Sequence, residues 1–401
     1  MAKVYPIIRG LEIVDRFEKL REIMKSYDVI IIGRGLTALS TALHLARLGI
    51  RRTCLIAPPP DTKNCHSLLI QAATATLQDN VTRPVHNHGS IVTRELLRLA
   101  RSGLSELVEL LQTFKIDHAY GQVRRLALSD HETREMAVAT RWLVSNGFPA
   151  SLIEEPPLTC KSMQLDGAMS ISFDARNLRA KLEKIAQCVI IEENVEELRA
   201  DHGGVTLKTT SGRIHNAEVV VAACHTKIRN LIPELTSALV NHADQVVEFE
   251  VESGKPITRP GDYILVEHGQ YWITHTYKGT IAAGGARHFR PWAGIEAVDA
   301  PVLENISAEI RKKIESIYGL TLSKVKLAHG LMEIHACDEI PIIGPMFGNS
   351  RVLVATGYMG SGATFACAAG KGLAEFIQHG KSTTIIDLFF PARLRSLPES
   401  N

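Results

Sequence analysis

The sequence has few aromatic residues, 5% of 401, and it lacks cysteine pairs, a charge excess and long apolar runs. Each shortage excludes something. The seven cysteines (Cys54, Cys65, Cys160, Cys188, Cys224, Cys337, Cys367) are odd in number, scattered and without a CxxC spacing. That argues against a disulfide scaffold and suits small core residues in a reducing compartment. Lys and Arg number 45 against 43 Asp and Glu, so whole-chain charge argues against a nucleic-acid or membrane surface as main partner. No stretch approaches the roughly 18 apolar residues of a membrane helix. The start, MAKVYPIIRGLEIVDRFEKLREIMKS, lacks an uninterrupted apolar segment of signal-peptide length, and the expected address is the cytoplasm. What is abundant is apolar mass, 45% of the chain, enough to fill the cores of two or three domains.

The chain is organised around YDVIIIGRGLTALSTALHLARLGIRRTCLI, Tyr27 to Ile56. An apolar run, Val29 to Ile32, meets Gly33, Arg34 and Gly35, and a small-residue helix pattern opens at Leu36. The spacing Gly33, Gly35, Ala38 is a dinucleotide fingerprint. Its first glycine turns the chain, its second admits a pyrophosphate, and its third small residue keeps helix and strand close. The phosphates would lie on unpaired N–H groups at the positive end of the helix. A second strand, Arg52 to Ile56, ends in Ala57 and three prolines, where an acidic residue would ordinarily accept ribose hydroxyls; Asp61 comes four positions late.

Apolar positions Leu11, Val14, Phe17, Leu20 and Met24 predict an amphipathic N-terminal extension over residues 1–26. Residues 61–90 lack periodicity and read as a functional loop. Within it, His86 and His88 have no carboxylate or cysteine at ligand spacing, so no metal site is expected. Glu95 to Phe114 reads as a long helix, residues 121–170 as short strands and turns broken at Pro156-Pro157, and Asn177 to Ala186 as a helix. Val189 to Val195, Gly204 to Thr209 and Glu218 to Ala223 read as strands. Four further strands, Gln245 to Val251, Tyr263 to Glu267, Tyr271 to His275 and Thr280 to Gly284, are joined by short turns as in an antiparallel meander. A helix from Ser307 to Tyr318 and a strand near Val325 to Leu331 follow. RVLVATGYMGSGATFACAAGKGLAEFI then repeats strand, glycine turn and helix, suggesting one nucleotide site assembled from both ends of the chain.

Taken in order, DVIIIGRGLTALSTALHLARLG, a strand at Val195, VVVAACHT at 219–226 and DEIPIIGP leading into ATGYMGSGATFACAAGKGLAEFI are telling. The sequence resembles the FAD-dependent oxidoreductases of the D-amino-acid oxidase, glycine oxidase and sarcosine oxidase superfamily. The resemblance implies an α/β fold: a Rossmann-like, glutathione-reductase-type FAD domain and a second, mostly antiparallel substrate domain. The FAD domain would take 27–80, 165–240 and 335–380, and the substrate domain 81–164 and 241–334. It further implies FAD held by Gly33, Gly35, Leu36, Ala38, Ser67 and Val195, and by Gly357, Met359, Gly360, Gly362, Ala363 and Thr364 of the second turn. The implied reaction is hydride removal from a carbon next to an amine, giving an imine that water hydrolyses.

Three positions depart from the family pattern: Ala57 for the ribose acid, Ala223-Cys224 for Ala-Gly, and Met332 where many members carry a carboxylate-clamping arginine. A thioether cannot mimic a bidentate guanidinium. Leu331 stands near the position where sarcosine oxidases attach flavin through cysteine and Cys337 is displaced from it, so FAD is expected to be non-covalent. The expected pocket residues are His66, Tyr271, His275, Arg287 and His335, with Arg287 a displaced clamp or a positive charge near reduced flavin. The expected partners are a small amine or amino-acid-like substrate, oxygen or another electron acceptor, and further subunits of the same or another kind. Two rival readings stay open: a non-catalytic or electron-relay flavoprotein subunit, and a tRNA-modifying oxidase domain.

Overall fold

The computed structural model describes residues 26–59, 72–155, 160–186, 188–254, 258–289, 292 and 294–396. The expected N-terminal helix, Asp61, His66, Ser67 and the Pro156-Pro157 break lie outside the described residues.

The opening motif gives β1 (Tyr27–Ile32), α1 (Leu36–Arg47) and β2 (Thr53–Ile56). Next come β3 (Ala72–Thr74), α2 (Thr82–Thr113), β4 (His118–Ala127), α3 (Asp130–Ser145), β5 (Ser151–Glu155) and β6 (Cys160–Phe173). The middle of the chain forms α4 (Ala175–Ile185), β7 (Val189–Ile191), β8 (Val195–Asp201), β9 (Gly204–Thr209), β10 (Ile214–Ala222) and the short α5 (Ile228–Leu231). The meander is β11 (Leu239–Ser253), β12 (Tyr263–Val266), β13 (Tyr271–His275) and β14 (Ile281–Gly285). It is followed by α6 (Glu304–Tyr318), β15 (Thr321–Ala336), β16 (Ile342–Met346), β17 (Asn349–Thr356) and α7 (Gly362–His379).

The strands form two sheets. In the first, β17, β10, β1, β2 and β7 are parallel neighbours in that order, β16 closes one edge antiparallel, and β8 and β9 continue antiparallel from β10. Val29, Ile30, Ile31 and Ile32 are all buried, because a parallel strand covered on both faces has no polar side. Helices α1, α2 and α7 cover one face. Gly370 permits the close approach of α7 to α1, since a Cβ there would lie 2.6 Å from the Cβ of Ser40.

The second sheet has the order β15, β11, β14, β13, β12, β4, β6, β3, with β5 on β6. Its pairs are antiparallel except β12 with β4. The two-sheet α/β architecture expected from the sequence is thus present. Ile306, Ile310, Ile314 and Ile317 recur along one stripe of α6 and pack with Val247, Phe249, Ile264, Ile273 and Ile281 of one sheet face. That leaves the opposite face of the same strands for a site.

Several expectations change. The region 121–170 contains a helix, α3, where strands and turns were expected. Its start is capped by Ser129: Glu132 N–H donates to Ser129 Oγ at 3.2 Å, while Glu132 Oε2 accepts from the N–H of Leu128, one residue before the cap, at 2.8 Å. Residues 61–90 are not all loop, since β3 and the first turns of α2 lie there. Helix α2 begins well before Glu95 and bends at Gly89, whose φ is 82°. His86 and His88 therefore stand on helix. The strand expected over Val189 to Val195 is divided into β7 and β8 by a turn. β3 and the end of β6, inside segments assigned from sequence to the FAD domain, pair in the second sheet. No helix among the described residues is long and apolar enough to cross a membrane.

Candidate active site

Two cavities, of about 630 and 660 Å³, lie between the sheets, and Glu333, Gly360 and Ala363 line both. The first opens at the carboxyl end of β1 and is lined by Gly33, Gly35 and Leu36. Gly33 has φ 133°, and a Cβ there would stand 2.2 Å from the Ala223 carbonyl oxygen, so the turn requires glycine. Gly35 is the N-cap of α1, and a Cβ there would meet nothing within 4 Å, because it would project into the cavity. Ala38 is fully buried behind it and seats the helix on the sheet.

Arg34 is committed. Its guanidinium donates to Glu183 at 2.8 and 3.1 Å and to Glu192 at 2.7 Å, tying the glycine turn to α4 and to the turn after β7. The backbone N–H of Ala57 donates to Ile191 at 3.1 Å, which draws that turn beside the end of β2. Glu193, Asn194 and Val195 consequently line the cavity together with Ala57. The β7–β8 turn thus brings polar groups beside the end of β2. Cys224, also on this lining, has its thiol pushed up to about 12 by burial and is chemically quiet.

The second glycine turn is the wall between the cavities. Gly357 and Gly362 face the first, Met359, Ser361 and Thr364 the second, and Gly360 and Ala363 both. Gly357, Met359 and Gly360 have φ values of 70°, 54° and 76°, which fold the backbone tightly ahead of α7. Thr364 Oγ1 accepts from Thr74 N–H at 3.1 Å. Thr356 Oγ1, on the first cavity's lining, is buried without a hydrogen-bond partner among the described residues. An open glycine cradle, an orphaned hydroxyl and two cavities that share Gly360 and Ala363 at a helix N-terminus fit an extended dinucleotide.

The roof of the second cavity is the free face of the second sheet. Side chains two residues apart project to the same side of a strand. His242, Asp244 and Val246 of β11, Leu331, Glu333 and His335 of β15, and Trp272 and Thr274 of β13 accordingly line it, with Tyr263 from β12. Tyr271 and His275, expected in the pocket, have the opposite parity. Tyr271 is buried in the core under α6, and His275 Nδ1 is 3.0 Å from the Thr258 carbonyl oxygen; neither lines either of these two cavities. Burial pushes the Tyr271 phenol up to about 12, as befits a core group.

Arg287 and His335 do reach the cavity, and they belong to one cluster. Arg287 Nη2 is 3.0 Å from Asp244 Oδ2 and 2.9 Å from Glu333 Oε2, and His335 Nε2 is 2.8 Å from the same Glu333 oxygen. The rings of His242 and His335 stack at 5.3 Å. Burial would lower the Arg287 pKa, but Asp244 and Glu333 outweigh it and hold the guanidinium above its ordinary value. Burial raises the Asp244 carboxyl, and Glu333 adds to that against the pull of Arg287. Burial and the Arg287 charge bring His242 down to about 4, so its ring is neutral near pH 7. Arg287 is therefore shared by two carboxylates within the cavity wall. Asp244, Glu333 and His242 were missed, although their alternation with Val246, Leu331 and His335 is visible in the sequence.

A glycine turn at the carboxyl end of a first parallel strand, completed by a second turn from the far end of the chain and roofed by another sheet, defines a two-domain dinucleotide-binding protein. Residues 28–376 match the family model described as DAO, FAD dependent oxidoreductase. The chain belongs to this family, and its cofactor is FAD. Among solved structures, glycine oxidase from Geobacillus kaustophilus superposes with a TM-score of 0.74 at 17% identity, covering 91% of this chain and 98% of that one. Iminodiacetate oxidase from Chelativorans sp. BNC1 gives 0.70 at 16%, covering 90% and 98%. L-proline dehydrogenase from P. horikoshii gives 0.71 at 15%, covering 92% and 98%. No curated protein matches the sequence.

Proposed function

We propose that this FAD-dependent oxidoreductase oxidises a C–N bond of a small amine or amino-acid-like substrate. The observation that carries the reading is the meeting of the two cavities at Glu333, Gly360 and Ala363, beside the Arg287 cluster. Gly33, Gly35, Leu36 and Val195 would hold the adenosine diphosphate portion, with Ala38 supporting the turn from behind. Gly357, Met359, Gly360, Gly362, Ala363 and Thr364 would hold the ring end. When bound, FAD would supply the two-electron acceptor for a hydride from the carbon next to nitrogen.

The protein's own groups would orient the amine and remove its N–H proton. The Glu333–His335 pair stands on the cavity wall, where it could receive that proton. The resulting imine adds water and divides into a carbonyl compound and ammonia or an amine. Non-covalent attachment is supported by Cys337, which is exposed, 3.4 Å from the Ser237 carbonyl oxygen and absent from both linings. The division of labour follows the sheets: the parallel sheet carries the cofactor and the antiparallel sheet roofs the substrate. A cytoplasmic setting and reoxidation by oxygen or another acceptor complete the proposal. Product analysis tests it: each equivalent of flavin reduced should yield one equivalent of carbonyl product, and reduction without a carbonyl product would refute C–N oxidation.

A further inference from the structure

The second cavity is acidic. Four carboxylates line it, Asp79, Asp244, Glu333 and Glu339, against two guanidiniums, Arg83 and Arg287. Each guanidinium is shared by two of those carboxylates: Arg287 by Asp244 and Glu333, Arg83 by Glu339 and, at 3.7 Å, Asp79. Among the described residues no lysine lines the cavity. A carboxylate entering here would meet like charge and would have to displace an existing ion pair.

Beside this charge stands an aromatic wall. Trp272 and Tyr263 stack with centroids 6.2 Å apart and planes within 4°. Val246, Ala282 and Leu331 pack with Trp272 to make an apolar floor on the same side. Gly284 fixes the indole, since a Cβ there would lie 2.6 Å from its ring. Carboxylates beside indole and phenol faces suit a cation, which gains both from charge and from the ring quadrupoles.

Resting on the amine-oxidation reading, we infer that the substrate is a cationic amine without a free carboxylate. The Asp244–Glu333 pair and the face of Trp272 recognise its positive charge. An alkyl or aryl amine, or one end of a diamine, meets this description; a free α-amino acid does not.

The test uses the flavin-loaded protein at about pH 8, where histidines of ordinary pKa are neutral. Tetramethylammonium, which cannot be oxidised here for want of an N–H or a lone pair, and acetate are titrated separately at constant ionic strength, reading the perturbed flavin spectrum. Tetramethylammonium should perturb the spectrum saturably and acetate should not. Trp272→Leu should weaken the tetramethylammonium response by about tenfold. In parallel, benzylamine and phenylglycine, which differ by one carboxylate, are offered anaerobically, and benzylamine should reduce the flavin faster. Binding of acetate without binding of tetramethylammonium, or reduction by phenylglycine alone, would overturn the inference while leaving amine oxidation standing. Tetramethylammonium binding with no reduction by any amine would uphold the cation site and count against amine oxidation instead.

Discussion

Arg287 Nη2 lies 2.9 Å from Glu333 Oε2 and 3.0 Å from Asp244 Oδ2, so one guanidinium joins carboxylates from the adjacent strands β15 and β11. Removing it would leave two buried like charges side by side. Arg287→Met should therefore cost about 3–5 kcal/mol of stability, as for a broken buried ion pair. Adding Glu333→Gln should restore a substantial part. Chemical denaturation of both variants checks this, and an unchanged midpoint for the single variant would show that the arginine is not the counterion.

The two glycines of the first turn should fail differently. Gly33→Ala forces a Cβ to within 2.2 Å of the Ala223 carbonyl oxygen at φ 133°, so it should lower thermal stability whether or not flavin is present. Gly35→Asp has room for its Cβ, so it should fold while a carboxylate facing the pyrophosphate abolishes FAD binding. Flavin content and melting temperature separate the two outcomes.

On β13 the structure divides neighbours between two faces. Trp272→Leu should raise KM for the amine by about tenfold or more with its loss of cation and stacking contacts. Tyr271→Phe, on the core face, should leave kcat and KM within about twofold, as for a change outside the site. Steady-state kinetics on both variants decides whether the cavity face has been assigned correctly.

His44 makes stability depend on pH. Burial in α1 brings its imidazole down to about 4, with Glu106 Oε2 3.7 Å away partly opposing the shift. Between that value and the ordinary 6.5 the unfolded chain binds a proton that the folded protein does not. The contribution is complete above about pH 6.5 and is lost as pH falls toward about 4, reaching about 3 kcal/mol. His44→Gln should flatten this slope, and His242, lowered in the same direction, should leave a remainder. Denaturation midpoints across the range provide the check.

Legibility followed locality. The β1–α1 turn, the meander strands and the second glycine turn were readable because apolar runs and glycines at fixed offsets are local signals. Helix α3 falls in a region that reads as short strands and turns, although Ser129 and Glu132 spell its start. The parity of β13 was misread for a physical reason. Both of its faces are largely buried, one under α6 and one over the cavity, so hydrophobicity alone does not mark which side carries the site. Asp244 and Glu333 meet Arg287 only through the pairing of β11 with β15 and the turn after β14. Sequence separation hides such a cluster until the sheet is assembled.

FAD held by both glycine turns should take electrons from an amine under the Asp244–Glu333–Trp272 roof. Anaerobic titration of the flavin-loaded protein with a panel of amines and amino acids, followed by visible absorbance, tests it most directly. At least one amine lacking a carboxylate should bleach the oxidised flavin band, and Trp272→Leu should be reduced about tenfold more slowly at the same sub-saturating amine concentration. A fully loaded flavin that no amine or amino acid in the panel bleaches would contradict it.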